Sequence, residues 1–317
     1  MLTLFPWQEG AWQDLPGNRT LAHALLISGP QGIGKIAFAH RLGMRLVCEQ
    51  GRACGVCRSC VFAGKGDHPD ILVIKAEEGK AEITVEHARA LNAFLALTPH
   101  LAERRVSIIE AADQLNRSAG NALLKTLEEP PAESFILLVS HAPARLLPTV
   151  RSRCQKVHLH KPSRTEALGY LKTRGVSEAE AALKIAHGAP LSAEGLPKDA
   201  LNTAFRLLET LEHLAKGVLD TATAGEGWQT LDLGYGLSLF TGILADIVRL
   251  ATVGTLPEPF PGDWEPRLRR LSSQLDLQQL FTLWDEVLEL HGLADAPLDR
   301  RLIWDKLFLR FEQLRAQ

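Results

Sequence analysis

The twelve residues from Leu25 to Ile36, LLISGPQGIGKI, restrict the possible folds of this chain more than any other stretch. Leu25 to Ser28 form a short apolar run of the kind buried on both faces of a sheet. Ile36 to Leu46 carry apolar residues at helical spacing, so Gly29 to Lys35 is a glycine-rich turn between strand and helix. That order makes a phosphate loop. Gly29, Gly32 and Gly34 let the backbone turn its N–H groups toward an anion, the helix adds its positive N-terminal end, and Lys35 adds a mobile charge. The residue after the lysine should offer a hydroxyl to the magnesium of a bound nucleotide. Here it is Ile36, whose hydrocarbon cannot ligate a cation that demands oxygen. Two readings stay open for the loop: a nucleotide site without hydrolysis, and a turn that binds nothing.

Four of the five cysteines fall within CEQGRACGVCRSC, residues 48–60, with spacing C-x5-C-x2-C-x2-C. Four thiolates on so short a loop can close a tetrahedron, so Cys48, Cys54, Cys57 and Cys60 are expected to bind Zn2+. A redox Cys-x-x-Cys pair would need only two of them, and a reducing compartment disfavours disulfides. A four-sulfur shell leaves no open position, which makes the zinc structural. Arg52, Arg58 and Lys65 around it read as a solvated face, with a DNA or partner contact as the alternative.

The opening residues MLTLFPWQEG carry neither a basic n-region nor a continuous apolar h-region, and no uninterrupted apolar run reaches membrane-spanning length. The expectation is a cytoplasmic protein with no membrane contact. Pro6, Trp7 and Trp12 fit a packing cluster or the wall of an adenine pocket equally well.

Further strands are expected at residues 71–75, 106–110, 135–140 and 157–160, with helices over 84–97 and after the capping residue Asn116 up to Pro130-Pro131. Strands alternating with helices predict a parallel α/β sheet covered on both faces. The strand at 106–110 ends in Glu110-Ala111. A phosphate-loop ATPase would place aspartate there for magnesium and glutamate for the attacking water. The methyl of Ala111 does neither, which leaves an altered metal shell built on Glu110 as the remaining enzymatic reading. Ser152 and Cys154 read as residues that position the turn; the nearby Arg151 and Arg153 could lower the Cys154 thiol pKa, but the sequence shows no acid-base partner for it.

From residue 163 the pattern turns helical. Ser163 is a cap, and apolar stripes run through Phe205–Leu214, Leu237–Leu250, Leu277–Leu290 and Ile303–Leu314, the middle pair separated by Leu256-Pro-Glu-Pro-Phe-Pro261. Residues 201–317 hold 11 Lys+Arg against 17 Asp+Glu, and residues 1–200 hold 24 against 20. A mildly basic front and an acidic tail argue against a chain that grips nucleic acid along its whole length.

The phosphate-loop remnant, the cysteine insertion, the run NALLKTLEEPP at 121–131 and the Ser152-Arg153-Cys154 triplet together resemble the clamp-loader ATPases of the AAA+ superfamily. The resemblance covers residues 20–160. It implies an AAA+ nucleotide-binding-like domain over 1–162 with the zinc loop at 48–60, a helical lid over 163–199 and an all-α collar over 200–317. It also implies that Arg153 is an arginine finger, reaching in trans into a neighbouring subunit's ATP site. Hydrolysing members carry a further arginine in the lid, and the matching stretch His187–Ser192 has none. Together with Ile36 and Ala111 this implies a subunit that does not hydrolyse ATP. The expected setting is a hetero-pentameric ring with the gamma/tau ATPase and delta subunits of bacterial DNA polymerase III, acting on a sliding clamp and primer-template DNA.

Overall fold

The computed structural model describes residues 4–77, 82–256, 260–291 and 298–314. The chain forms two compact units, Met1–Glu166 and Ala167–Gln317.

In the first unit, β1 (Ala24–Ser28), β2 (Ile71–Ile74), β3 (Arg105–Ile109), β4 (Ser134–Ser140) and β5 (Gln155–His158) form one sheet in the order β2-β3-β4-β1-β5. All its pairings are parallel. The helices are α1 (Glu9–Gln13), α2 (Lys35–Val47), α3 (Arg58–Lys65), α4 (Val85–Leu95), α5 (Arg117–Glu128) and α6 (Pro148–Arg151). β1, β3 and β4 are buried along their whole length, which is why their centres are largely apolar, with the buried Arg105 and Ser107 of β3 as the exceptions. Full burial of each leucine or isoleucine there stabilises the fold by about 2 kcal/mol. α5 begins where expected: the Asn116 side chain accepts from the Ala119 N–H at 2.9 Å, and Pro130 follows the helix closely.

β5 departs from expectation. It pairs with β1 over Gln155–His158, two residues earlier than the apolar run at 157–160 suggested. As an edge strand it buries only Val157 among its four residues, so apolarity is a poor guide to its start.

Parallel strands bring all their C-terminal ends to one edge of the sheet, the edge where such folds bind ligands. The loop Gly29–Lys35 leaves β1 there, and Glu110 leaves β3. At the opposite edge, Asp70 is fully buried and accepts from the backbone N–H groups of His100, Leu101 and Ala102 at 2.7–2.9 Å. Arg105 lies 3.5 Å from it, spends its own donors on the Thr98 carbonyl, and stacks over Phe94. Burial alone would raise the Asp70 pKa, but the three N–H bonds and the Arg105 charge outweigh it and hold the carboxyl below its ordinary value. A group with a depressed folded pKa stabilises above its unfolded value, near 3.9, and that contribution is lost as pH falls through the folded value. Asp70→Ala should therefore cost about 3–5 kcal/mol at neutral pH by orphaning Arg105 and three N–H groups. The difference from the parent should narrow below about pH 3.5, as urea unfolding at several pH values would measure.

The second unit holds α7 (Arg164–Thr173), α8 (Ala179–Ile185), α9 (Pro190–Glu194), α10 (Ala200–Lys216), α11 (Thr221–Trp228), α12 (Leu233–Thr252), α13 (Trp264–Ser272), α14 (Leu277–His291) and α15 (Arg300–Glu312). Ser163 caps α7 reciprocally with Glu166, each side chain meeting the other's backbone N–H. α7 to α9 enclose a small core around Ala167, Leu171 and Leu183, and the later helices enclose a larger one around Leu207, Phe240, Trp304 and Phe311. α11 and α13 were not expected from the apolar stripes. Part of the proline-rich stretch expected to separate two helices, residues 257–259, lies outside the described residues.

α12 is, among the described residues, the helix long and apolar enough to cross a membrane, with 61% of its apolar window buried inside the protein. Asp246 and Arg249 interrupt its run. Asp246 accepts from Lys184 at 3.0 Å and from the Trp264 indole at 3.2 Å, the setting of a helix in a protein core.

Candidate functional site

All three glycines of the loop adopt backbone angles that favour glycine. Gly29, Gly32 and Gly34 have φ of 149°, 71° and 85°. A Cβ on Gly29 would meet the Leu159 carbonyl at 2.3 Å, and one on Gly34 would meet the Phe5 ring at 2.5 Å, so neither position admits a side chain. Lys35 opens α2 and is 8% exposed, with Nζ donating to the Pro30 carbonyl at 2.5 Å. Burial lowers its pKa to about 8, and the Asp113 carboxylate partly opposes that. Ile36 is 45% exposed, a hydrocarbon at the position where a hydroxyl would hold magnesium.

The N-terminal segment packs on this loop, which its composition did not reveal. Gln8 is fully buried, and its Nε2 donates to the carbonyls of Ile33 and Gly34 at 3.0 and 2.9 Å. The Trp7 indole donates to the Ile33 carbonyl at 3.0 Å and stacks on Phe5. Trp12 lies edge-on to Phe38 of α2. These contacts give the packing reading of the aromatic lead-in its substance.

At the end of β3 the Glu110 carboxylate accepts from His40 Nε2 on α2 at 2.7 Å. This bond, with the charges of His40 and Lys75, outweighs burial and holds Glu110 below the usual carboxylate range. The acid that could have served a metal is therefore engaged by a side chain of the loop helix. Ala111 follows it. Asp113 sits 3.2 Å from the His141 ring just after β4 and also accepts from the His141 backbone N–H.

Arg153 follows α6 at the surface. Its Nε donates to Glu128 Oε1 at 2.7 Å, Nη2 contacts the same oxygen, and Nη1 donates to the Thr149 carbonyl at 3.0 Å. Ser152 Oγ bonds the same Thr149 carbonyl at 3.1 Å and so shapes the turn. Cys154 is buried and donates to the Val150 carbonyl, and burial pushes its thiol up to about 11, as suits a residue that shapes the turn and not the lowered-pKa alternative. The flanking arginines point away from a sulfur that faces the core.

The four clustered cysteines converge, with all their Sγ atoms within 4.8 Å of one another. Cys54 and Cys60 sulfurs are 3.9 Å apart and those of Cys48 and Cys57 4.0 Å, close to the ~3.8 Å edge of a tetrahedron with Zn–S of about 2.3 Å. The backbone N–H groups of Cys54, Cys57 and Cys60 point at Cys48, Cys54 and Cys57 sulfurs at 3.4–3.5 Å, the bonds that stabilise thiolates around a metal. Gly55, at φ 80°, makes the tight knuckle. The donor set and its spacing fit a tetrahedral metal. Cys48 ends α2, and Cys60 lies in α3, so an ion here would join the two helices. Arg58 of the surrounding basic residues lies over Phe62, and Arg52 bonds Gln50.

In the second unit the stretch His187–Ser192 contains left-handed His187 and Gly188, then α9 from Pro190, and no arginine.

Strand order, a loop after β1, an acid after β3 and helices on both faces define an AAA+ type phosphate-loop fold whose hydrolytic positions are altered. Residues 10–163 match the family model described as DNA polymerase III, delta subunit. The chain is 35% identical to the DNA polymerase III subunit delta' of Pseudomonas aeruginosa, over 99% of both chains. It is 35% identical to the Escherichia coli subunit delta' over 61% of this chain and 60% of that one, and 32% identical to the Escherichia coli subunit tau over 68% of this chain and 33% of that one. The chain belongs to the DNA polymerase III delta' subunit family.

Proposed function

We propose that this chain serves as a non-hydrolysing delta' subunit of a bacterial clamp loader in DNA replication. It takes its place in a hetero-pentameric ring with gamma/tau and delta subunits, supplies Arg153 in trans to a neighbour's ATP site, and helps place the sliding clamp on primer-template DNA in the cytoplasm. Full-length similarity to delta' and partial similarity to tau support the setting. The observation that carries the rest is the joint state of the loop and the arginine: Ile36 and Ala111 stand where metal and water would be handled, Glu110 is tied to His40, and Arg153 stays at the surface.

A planar guanidinium can grip a γ-phosphate through two N–H groups and stabilise charge developing in transfer. The four cysteines would hold Zn2+ as a staple between α2 and α3. The lid over 163–199 has its own core around Ala167, Leu171 and Leu183, while Ala181 and Ile185 of α8 also join the larger core of the collar over 200–317.

Catalytic groups act as a unit, so losing one member removes most of the rate and losing three leaves almost none. The purified chain alone should therefore turn over ATP no faster than a Lys35→Ala variant in a phosphate-release assay. Turnover that Lys35→Ala abolishes would establish an ATPase built on Glu110 and overturn the proposal.

A further inference from the structure

Arg153 already has a partner within its own chain, and the chemistry of that partner bears on when the arginine can act. Glu128 Oε1 occupies the Nε–Nη2 edge of the guanidinium, while the Thr149 carbonyl takes Nη1. Nε–Nη2 is one of the two flat edges through which arginine meets a paired-oxygen anion, carboxylate or phosphate alike. A phosphate approaching that edge must compete with Glu128.

The backbones that carry the two residues are well anchored. Glu128 is the last residue of α5 and is followed by Glu129 and the two prolines 130 and 131. Arg153 follows α6, whose first residue is Pro148. α5 and α6 share a core in which Ala119, Leu123, Leu127 and Val150 are buried, and Gly120 lies under Leu147 without room for a Cβ. Any exchange of partners is thus a movement of side chains. Glu128 also sits at a helix C-terminus, where the backbone dipole disfavours an acid, so the Arg153 charge offsets an otherwise unfavourable placement. The two side chains are 51% and 35% exposed, which keeps the pair weak and reversible.

We propose that Glu128 is a positioning residue that parks Arg153 on its own subunit, and that the phosphate of ATP bound by the neighbouring subunit displaces it. The proposal rests on the reading that Arg153 acts in trans.

The test measures the steady-state ATPase of the reconstituted complex against ATP concentration for the parent, Glu128→Gln, Arg153→Ala and the double variant. Removing the competing charge should lower the ATP concentration at half-maximal rate by about two- to fivefold, the range a half-exposed ion pair spans. The maximal rate should stay near the parent's, because saturating ATP has already displaced the pair. The double variant should match Arg153→Ala, and Glu128→Ala should repeat the shift with the same sign.

A half-maximal concentration that is unchanged or raised in Glu128→Gln, with Arg153→Ala still slow, overturns the parking role while leaving the arginine's role standing. A shift of equal size in the Arg153→Ala background makes Glu128 a structural residue and also overturns it. An Arg153→Ala complex as fast as the parent removes the reading in trans, and the proposal with it.

Discussion

Arg153→Ala in the assembled complex is expected to cut ATP hydrolysis at the site it serves by about 10³-fold or more, the range measured for arginines supplied across an interface to a phosphoryl-transfer site. The whole complex should lose at least the share of turnover that passes through that site. Assembly, read by gel filtration, should not change, because the side chain is about one-third exposed and its bonds are to Glu128, the Thr149 carbonyl and Ser152 Oγ, all within its own chain. Arg153→Lys should recover little: an ammonium keeps the charge and loses the two-pronged geometry. A complex that hydrolyses ATP at the parent rate without Arg153 would mean that the guanidinium only ties α5 to the turn after α6.

The second large effect is expected from the cysteine loop. Cys57→Ser should reduce bound zinc, measured by elemental analysis, from about one ion per chain to near zero, since one lost thiolate breaks the closed four-sulfur shell. Stability should fall by at least about 3 kcal/mol, a fraction of the ~10–16 kcal/mol apparent affinity of comparable peptide sites. Cys48 ends α2, and Cys60 is a buried residue of α3, so the loss should be sensed first as fraying of these two helix ends in hydrogen exchange. A metal staple predicts that assembly and DNA affinity of the complex survive the change. Zinc content equal to the parent's in Cys57→Ser would remove this residue from the ligand set, and a selective loss of DNA affinity would give the loop a recognition role.

How much of this was legible beforehand depended on how local the governing physics is. β1, β3 and β4 declared themselves because strands covered on both faces are mostly apolar. The edge strand β5 carries no such obligation, and its start was placed two residues too late. α11, with sequence TATAGEGW, buries one large side chain, Trp228, and the short stripe of α13, Trp264, Leu268 and Leu271, is interrupted by Pro266, a helix-breaking signal in the sequence. The glycine loop and the cysteine quartet were visible because both are short, local spacings.

Their supporting partners were not visible. Gln8 meets the loop from 26 residues away, His40 meets Glu110 across 70, and Glu128 meets Arg153 across 25; no periodicity encodes such pairings. Cys154 shows the same limit in miniature: the nearby arginines left a lowered pKa open, and only the fold shows the sulfur turned inward onto the Val150 carbonyl.

The contacts of Trp7 and Gln8 with the loop carry a consequence for what the loop is. A trans peptide points its N–H opposite to its C=O. Fixing the carbonyls of Ile33 and Gly34 toward the N-terminal segment therefore fixes the amides of Gly34 and Lys35 the other way. Three such hydrogen bonds, each contributing about 1 kcal/mol net, hold the hollow in shape from outside. The N-terminal segment thus helps set the backbone of the loop from outside it, so residues such as Ile36 can vary without loosening the peptides of Gly34 and Lys35.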